Sequence, residues 1–145
     1  MRIDGHWLLC QDGALRRVIK VEVESVSKEL IEMDFLVDTG ADRTVLSAIA
    51  LFDLGLPAVA NNELLLTGIG GHLEMVEIET ALVFTADGNR PITFRSRFAA
   101  VTSFGALDMS IIGRDILNRF ALIMDRTGDT ICLLGQRHRY AITSH

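Results

Sequence analysis

Short runs of apolar and β-branched residues, each cut by a cluster of turn-forming residues, make up most of this chain, a rhythm that leaves no stretch for a long helix. Gln11-Asp12-Gly13 separates residues 7–10 from an alternating run that carries Val18, Val21, Val23 and Val26. Ser27-Lys28-Glu29 turns that run into residues 30–37, so the chain opens as a β-meander. Asp87-Gly88-Asn89, between apolar runs at 77–84 and 91–101, supplies a residue free to adopt positive φ and predicts a hairpin. Helical signals are confined to two places. Ser47 before Ala48-Ile49-Ala50-Leu51-Phe52 caps about two turns that Gly55 ends and Pro57 seals. Residues 114–120 give a second short helix before a closing hairpin over 121–134. The expected fold class is all-β with two short helices, in one domain over residues 1–145 whose polar end, 135–145, is mobile.

Lys and Arg number 14 against 19 Asp and Glu, and the resulting charge of −5 argues against nucleic acid or an anionic membrane as partner. Apolar residues reach 49%, a large share for a small monomer and natural where one face is buried against a second copy. Cys10 and Cys132 are too few and too far apart for a disulfide framework or a metal cluster, and read as free, buried thiols. His6, His72, His138 and His145 are scattered, and neither Ser47 nor Cys132 has a His and an acid in triad-like context. Neither metal chemistry nor a covalent nucleophile is expected. The first residues lack the apolar run of a signal peptide, and the longest apolar stretch, 46–60, is broken by Asp53 and Pro57. A cytoplasmic chain without a membrane span is expected.

Three segments carry chemistry. Asp38-Thr39-Gly40 follows the apolar run Phe35-Leu36-Val37, Gly40 allows a tight turn beside the carboxylate, and Ala41 is small enough to pack under it. An ordinary Asx turn at a strand end would use similar residues. The buried-strand lead-in instead matches the way aspartic peptidases present a carboxylate. Their chemistry needs two such groups around one water, one ionised as base and one protonated as acid, with their repulsion keeping a single proton on the pair. One triplet is half of that site, so the chain must dimerise to use it. The second segment, Leu66-Thr67-Gly68-Ile69-Gly70-Gly71-His72, sets three glycines around Ile69. Such a tip can open and close over a cleft and offer backbone groups to an extended peptide, while a plain Gly-rich hairpin is the simpler alternative. No helical pattern follows it, which excludes a dinucleotide loop. The third is Ile111-Ile112-Gly113-Arg114-Asp115-Ile116-Leu117, a buried strand end, a glycine and a short helix. Arg114 near a core needs a carboxylate, and Asp42 is the candidate for a bidentate pair that locks the Asp38 loop to the helix. A solvated helix start with Asp115 favoured by the dipole fits the residues equally. Asp108 is a turn residue able to approach the cleft.

In their order and spacing these segments resemble the retropepsins, the retroviral-type single-lobe aspartic proteases, together with their cellular relatives of the DNA-damage-inducible type. The similarity spans residues 18–134 loosely. It implies a closed acid-protease barrel lobe with a flap hairpin, acting as a homodimer without cofactor or metal on a peptide or protein substrate. It further implies that Asp38 is the catalytic carboxylate, one from each subunit, that Thr39 bonds across the dimer axis, and that Gly40 offers its carbonyl to the substrate. Ala41, Asp42 and Arg43 would line the substrate path. Gly68, Ile69, Gly70 and Gly71 would form the flap, and Asp42 with Arg114 the supporting ion pair. A non-catalytic dimeric module for peptide binding or assembly on the same fold is the alternative.

Two departures stand out. Arg43 follows Asp42 where several retroviral members carry a second acid, which turns the expected subsite preference toward acidic or polar side chains. The closing hairpin over 121–134 is longer than the single terminal strand of the viral enzymes, so the dimer sheet is expected to come from C-terminal hairpins and not from interleaved chain ends.

Overall fold

The structure, a computed structural model, describes residues 1–59, 63–68 and 71–135. In chain order its elements are β1 (Arg2–Asp4), β2 (His6–Leu9), β3 (Leu15–Glu24), β4 (Leu30–Val37), β5 (Val45–Leu46), helix α1 (Ala48–Leu54), β6 (Glu63–Gly68) and β7 (Gly71–Ala86). There follow β8 (Arg90–Val101), β9 (Ser110–Ile112), helix α2 (Arg114–Leu117), β10 (Ala121–Asp125) and β11 (Thr130–Leu134). The chain is mostly β, as its turn-punctuated runs predict.

Alternation decides what faces inward. Along β3, Ile19, Val21 and Val23 are fully buried while Lys20 is exposed and Glu22 and Glu24 are half-buried. β4 continues the pattern with Phe35 and Val37 inside, so Leu36 and, just past the strand end, Asp38 fall on the opposite parity. The larger sheet runs β2-β3-β4-β9-β5-β8-β7-β6, and β7 also pairs back onto β3 at Glu22↔Val83 and Val23↔Leu82. That pairing closes β3, β4, β9, β5, β8 and β7 into a barrel around Phe35, Phe84, Ile78, Leu82 and Ile112. Buried Thr80 helps to seal the closure by donating its hydroxyl to the Glu24 carbonyl at 2.7 Å. Burying each large side chain of this kind is worth roughly 1.5–3 kcal/mol, so the closed core carries the fold.

A second sheet, ordered β1-β11-β10, packs Ile3 and Leu133 onto the same core. β1 was not legible as a strand in the sequence, because three residues are too few to show a period. The hairpin at Asp87-Gly88-Asn89 forms as expected, with positive φ at both Gly88 (70°) and Asn89 (57°). The second helix is shorter than residues 114–120. Asn118 N–H still reaches the Arg114 carbonyl, but Arg119 and Phe120 bond only three residues back, which tightens the end into a turn. That turn sends the Phe120 ring edge-on to Phe94 at 6.1 Å. Of the two cysteines, Cys132 is buried and Cys10 only partly so. No helix among the described residues is long and apolar enough to cross a membrane.

Helix α1 is capped as the sequence predicts. The Ser47 hydroxyl accepts the Ala50 N–H at 3.2 Å, and Gly55, at φ 64°, closes the C-terminus onto the Leu51 and Phe52 carbonyls. Ser47→Ala is expected to lower stability by about 1 kcal/mol in urea unfolding, with the slope unchanged. Its backbone bond to the Ser110 hydroxyl, at 3.0 Å, survives the change.

Candidate active site

Two strand ends meet at the candidate site. β9 runs parallel to β4, with Leu36 beside Ile111 and Val37 beside Ile112, and both strands stop where their chemistry-bearing segments begin. Asp38 donates its backbone N–H to the Ile112 carbonyl at 3.1 Å, which fixes the root of the loop. Its side chain is half-buried, and Oδ1 accepts the Gly40 N–H at 2.9 Å, so the turn itself orients the carboxylate. Thr39 and Gly40 are exposed and Ala41 half-buried.

The rest of the loop is pinned by the segment after β9. Arg114 N–H donates to the Ala41 carbonyl at 2.8 Å and Asp115 N–H to the Asp42 carbonyl at 3.2 Å. The Asp115 carboxylate accepts the Thr44 N–H at 2.9 Å and the Thr44 hydroxyl at 2.7 Å, while Thr44 Oγ1 accepts the Gly113 N–H at 3.1 Å. Thr44 is fully buried, so each of these bonds satisfies a group that water does not reach. Thr44 and Asp115 are the site-shaping residues that motif reading missed. Their bonds span 71 residues of chain, and only the fold brings them together. Asp115→Ala is expected to destabilise by about 2 kcal/mol, because the Thr44 donors lose their charged acceptor. Asp115→Asn, which keeps an acceptor oxygen, should recover most of that in thermal unfolding, whereas equal losses would mean that water substitutes at Thr44.

Asp42 and Arg114 do meet, but not as a buried bidentate pair. One Arg114 nitrogen contacts the Asp42 carboxylate and the other donates to the Thr39 carbonyl at 3.2 Å. Their side chains are 83% and 45% exposed, so in the single chain the ion pair is worth at most about 1 kcal/mol. Asp115 and Thr44 add a second, buried anchor for the same loop. Arg43 turns toward β7, where it lies 3.2 Å from Glu77. Gly68 and Gly71 oppose each other at the end of the β6–β7 hairpin, while Ile69 and Gly70 lie outside the described residues.

A cavity of about 350 Å³ is lined by Leu36, Leu107, Met109 and Ile111, with Arg16 and Asp108 also on its wall. Leu36 stands two residues before Asp38 on the same strand parity, so the cavity adjoins the root of the carboxylate loop. Asp108 sits 4.0 Å from Arg16 and is 83% exposed, which makes it a rim residue.

No curated protein sequence is similar enough to this chain to count as a match. Among solved structures, a retropepsin-like aspartic protease from Rickettsia conorii is similar at 20% identity over 92% of this chain and 90% of that one, with a TM-score of 0.55. The retroviral protease-like domain of Ddi1 from Leishmania major is similar at 17% identity over 82% and 94%, with a TM-score of 0.50. Both likenesses are of fold. The family model for retroviral aspartyl proteases matches residues 14–125, from the start of β3 to the end of β10. The chain belongs to the retroviral aspartyl protease family.

Proposed function

We propose that this chain is a homodimeric aspartic endopeptidase in which two Asp38 side chains, one per subunit, activate a water for attack on a peptide carbonyl. The observation that carries the reading is a single half-buried carboxylate at the end of β4, oriented by its own turn and braced by α2, in a chain with no second Asp-Thr-Gly triplet. In the dimer one Asp38 is ionised and takes a proton from the water. The other is protonated and gives its proton to the carbonyl oxygen as the tetrahedral diol forms. Collapse of the diol breaks the C–N bond, with a proton delivered to the leaving amine.

In this reading Thr39, exposed beside Asp38, bonds across the two-fold axis, and the Gly40 carbonyl receives substrate backbone. In this reading Ala41, Asp42 and Arg43 on one side, and Gly68 and Gly71 at the end of the β6–β7 hairpin, border the path of an extended peptide that binds as an added strand. The cavity between Leu36 and Ile111 suits an apolar side chain next to the scissile bond. No cofactor or metal takes part. The test is cleavage of a mixed peptide library by wild type and by Asp38→Asn from acidic to neutral pH, read by mass spectrometry. Cuts confined to the wild type support a peptidase. An intact dimer that makes no cuts favours a non-catalytic peptide-binding module.

A further inference from the structure

We propose that the outer face of α1, with the 104–110 segment beside it, is a docking surface for a partner protein segment that carries a lysine or arginine next to apolar side chains. Helix α1 is turned inside out for a surface helix. Its buried residues are Ala48, Ala50 and Leu54, while the bulkier Ile49 and Phe52, three residues apart on one face, point into water, Phe52 at 76% exposure. Phe104, 65% exposed on the loop after β8, meets the Phe52 ring edge to face at 6.5 Å. Val26, also exposed, extends the patch past the helix end, where its N–H donates to the Leu54 carbonyl at 2.9 Å. Large apolar side chains gathered in this way shed their hydration cost only when another surface covers them.

Charge says what kind of surface that is. Residues 45–59 and 99–113, which carry most of the patch, contain no Lys, Arg or His. Asp34 of β4, Asp53 of α1 and Asp108 line an adjoining cavity of about 260 Å³, whose wall also includes Met33, Ile49 and Met109. Asp34 Oδ1 is buried, and no described residue donates to it. A buried carboxylate oxygen without a donor is costly. Lys20, opposite Asp34 on β3, has its ammonium on Glu32 at 3.2 Å, and Asp108 lies 4.0 Å from Arg16. An ammonium or guanidinium entering the cavity would give Asp34 its missing donor, with the apolar stem of the side chain against Ile49 and Met109. The same charges disfavour the other occupants. An isologous contact with a second copy would set these carboxylates against their own twins, and an anionic lipid surface would be repelled in the same way. The surface uses none of the Asp38 loop, so it stands or falls apart from the proposed chemistry.

The probes are two peptides, acetyl-leucyl-lysyl-phenylalanine amide and its norleucine analogue, which lacks only the ammonium group. Each is titrated into the full chain at low salt and followed by amide NMR shifts. The shifts should gather at residues 33–34, 47–54 and 104–110, and the lysyl peptide should bind about ten-fold tighter than the norleucyl one, the scale of one hydrogen bond to a charged group. Asp34→Asn, a change of one atom, should erase that preference without lowering the melting temperature. Phe52→Ser, at an exposed position, should weaken both peptides several-fold. Equal affinities for the two peptides, or scattered shifts, overturn the surface. A lysine preference that survives Asp34→Asn overturns it as well, since the net charge of the chain would then explain the attraction. Loss of self-association on Phe52→Ser in sedimentation would seat a second copy on the patch and contradict the proposal.

Discussion

Asp38→Asn is expected to reduce peptide turnover about a thousand-fold or more, the scale of losing general acid–base catalysis, while leaving the fold intact. The reason lies in the geometry of the turn. An asparagine keeps the Oδ1 acceptor for the Gly40 N–H now held at 2.9 Å, so the loop has no cause to rearrange. It removes both the base that deprotonates the water and the acid that protonates the carbonyl oxygen. In the proposed dimer the substitution removes the negative charge that the pair holds at the axis, so the asparagine dimer should be at least as stable as the wild type, and its melting temperature should hold or rise. Turnover within a few-fold of wild type would remove Asp38 from the chemistry altogether. A lost dimer would mean instead that the carboxylate contributes to assembly.

Gly113→Ala is expected to lower stability by about 3 kcal/mol, or about 10 °C in melting temperature for a chain of this size. The cause is close approach and not backbone conformation, since Gly113 has φ −100°, open to any residue. A Cβ there would lie 2.4 Å from the carbonyl carbon and oxygen of Arg43 and 2.9 Å from its nitrogen. These atoms are main chain and cannot rotate aside, so β9 and the Asp38 loop must separate. Arg43 adjoins Thr44, whose hydroxyl accepts the Gly113 N–H, so the same displacement loosens the Asp115 anchor. Turnover should fall together with stability, because small misplacements of a reacting group are costly. A melting temperature within about two degrees of wild type would show that the contact relaxes freely.

These effects separate what the sequence made legible from what only folding reveals. Local signals were readable. The caps of α1 at Ser47 and Gly55, the positive-φ hairpin at Gly88 and the closing hairpin of β10 and β11 each depend on a few adjacent residues, and all form as their chemistry requires. The Asp38 triplet was readable for the same reason, since its strand end and its turn are contiguous. Long-range consequences were not. Sequence spacing named Asp42 as partner for Arg114 but could not tell that the pair stays solvent-exposed. Asp115 read as a helix-dipole residue, although its carboxylate holds Thr44, because hydrogen bonds across 71 residues leave no period in the chain. Barrel closure through β3 and β7 is likewise a product of sheet twist and packing, and no motif announces it.

The shared carboxylate pair is tested most directly by mixing subunits. Wild-type and Asp38→Asn chains, co-refolded in varying ratio at fixed total concentration well above the dimer dissociation constant, should give peptide turnover that follows the square of the wild-type fraction, since only a dimer with two Asp38 carboxylates cuts. Turnover that follows the wild-type fraction linearly would mean that each chain works with its own carboxylate alone, and would contradict a site built from two copies.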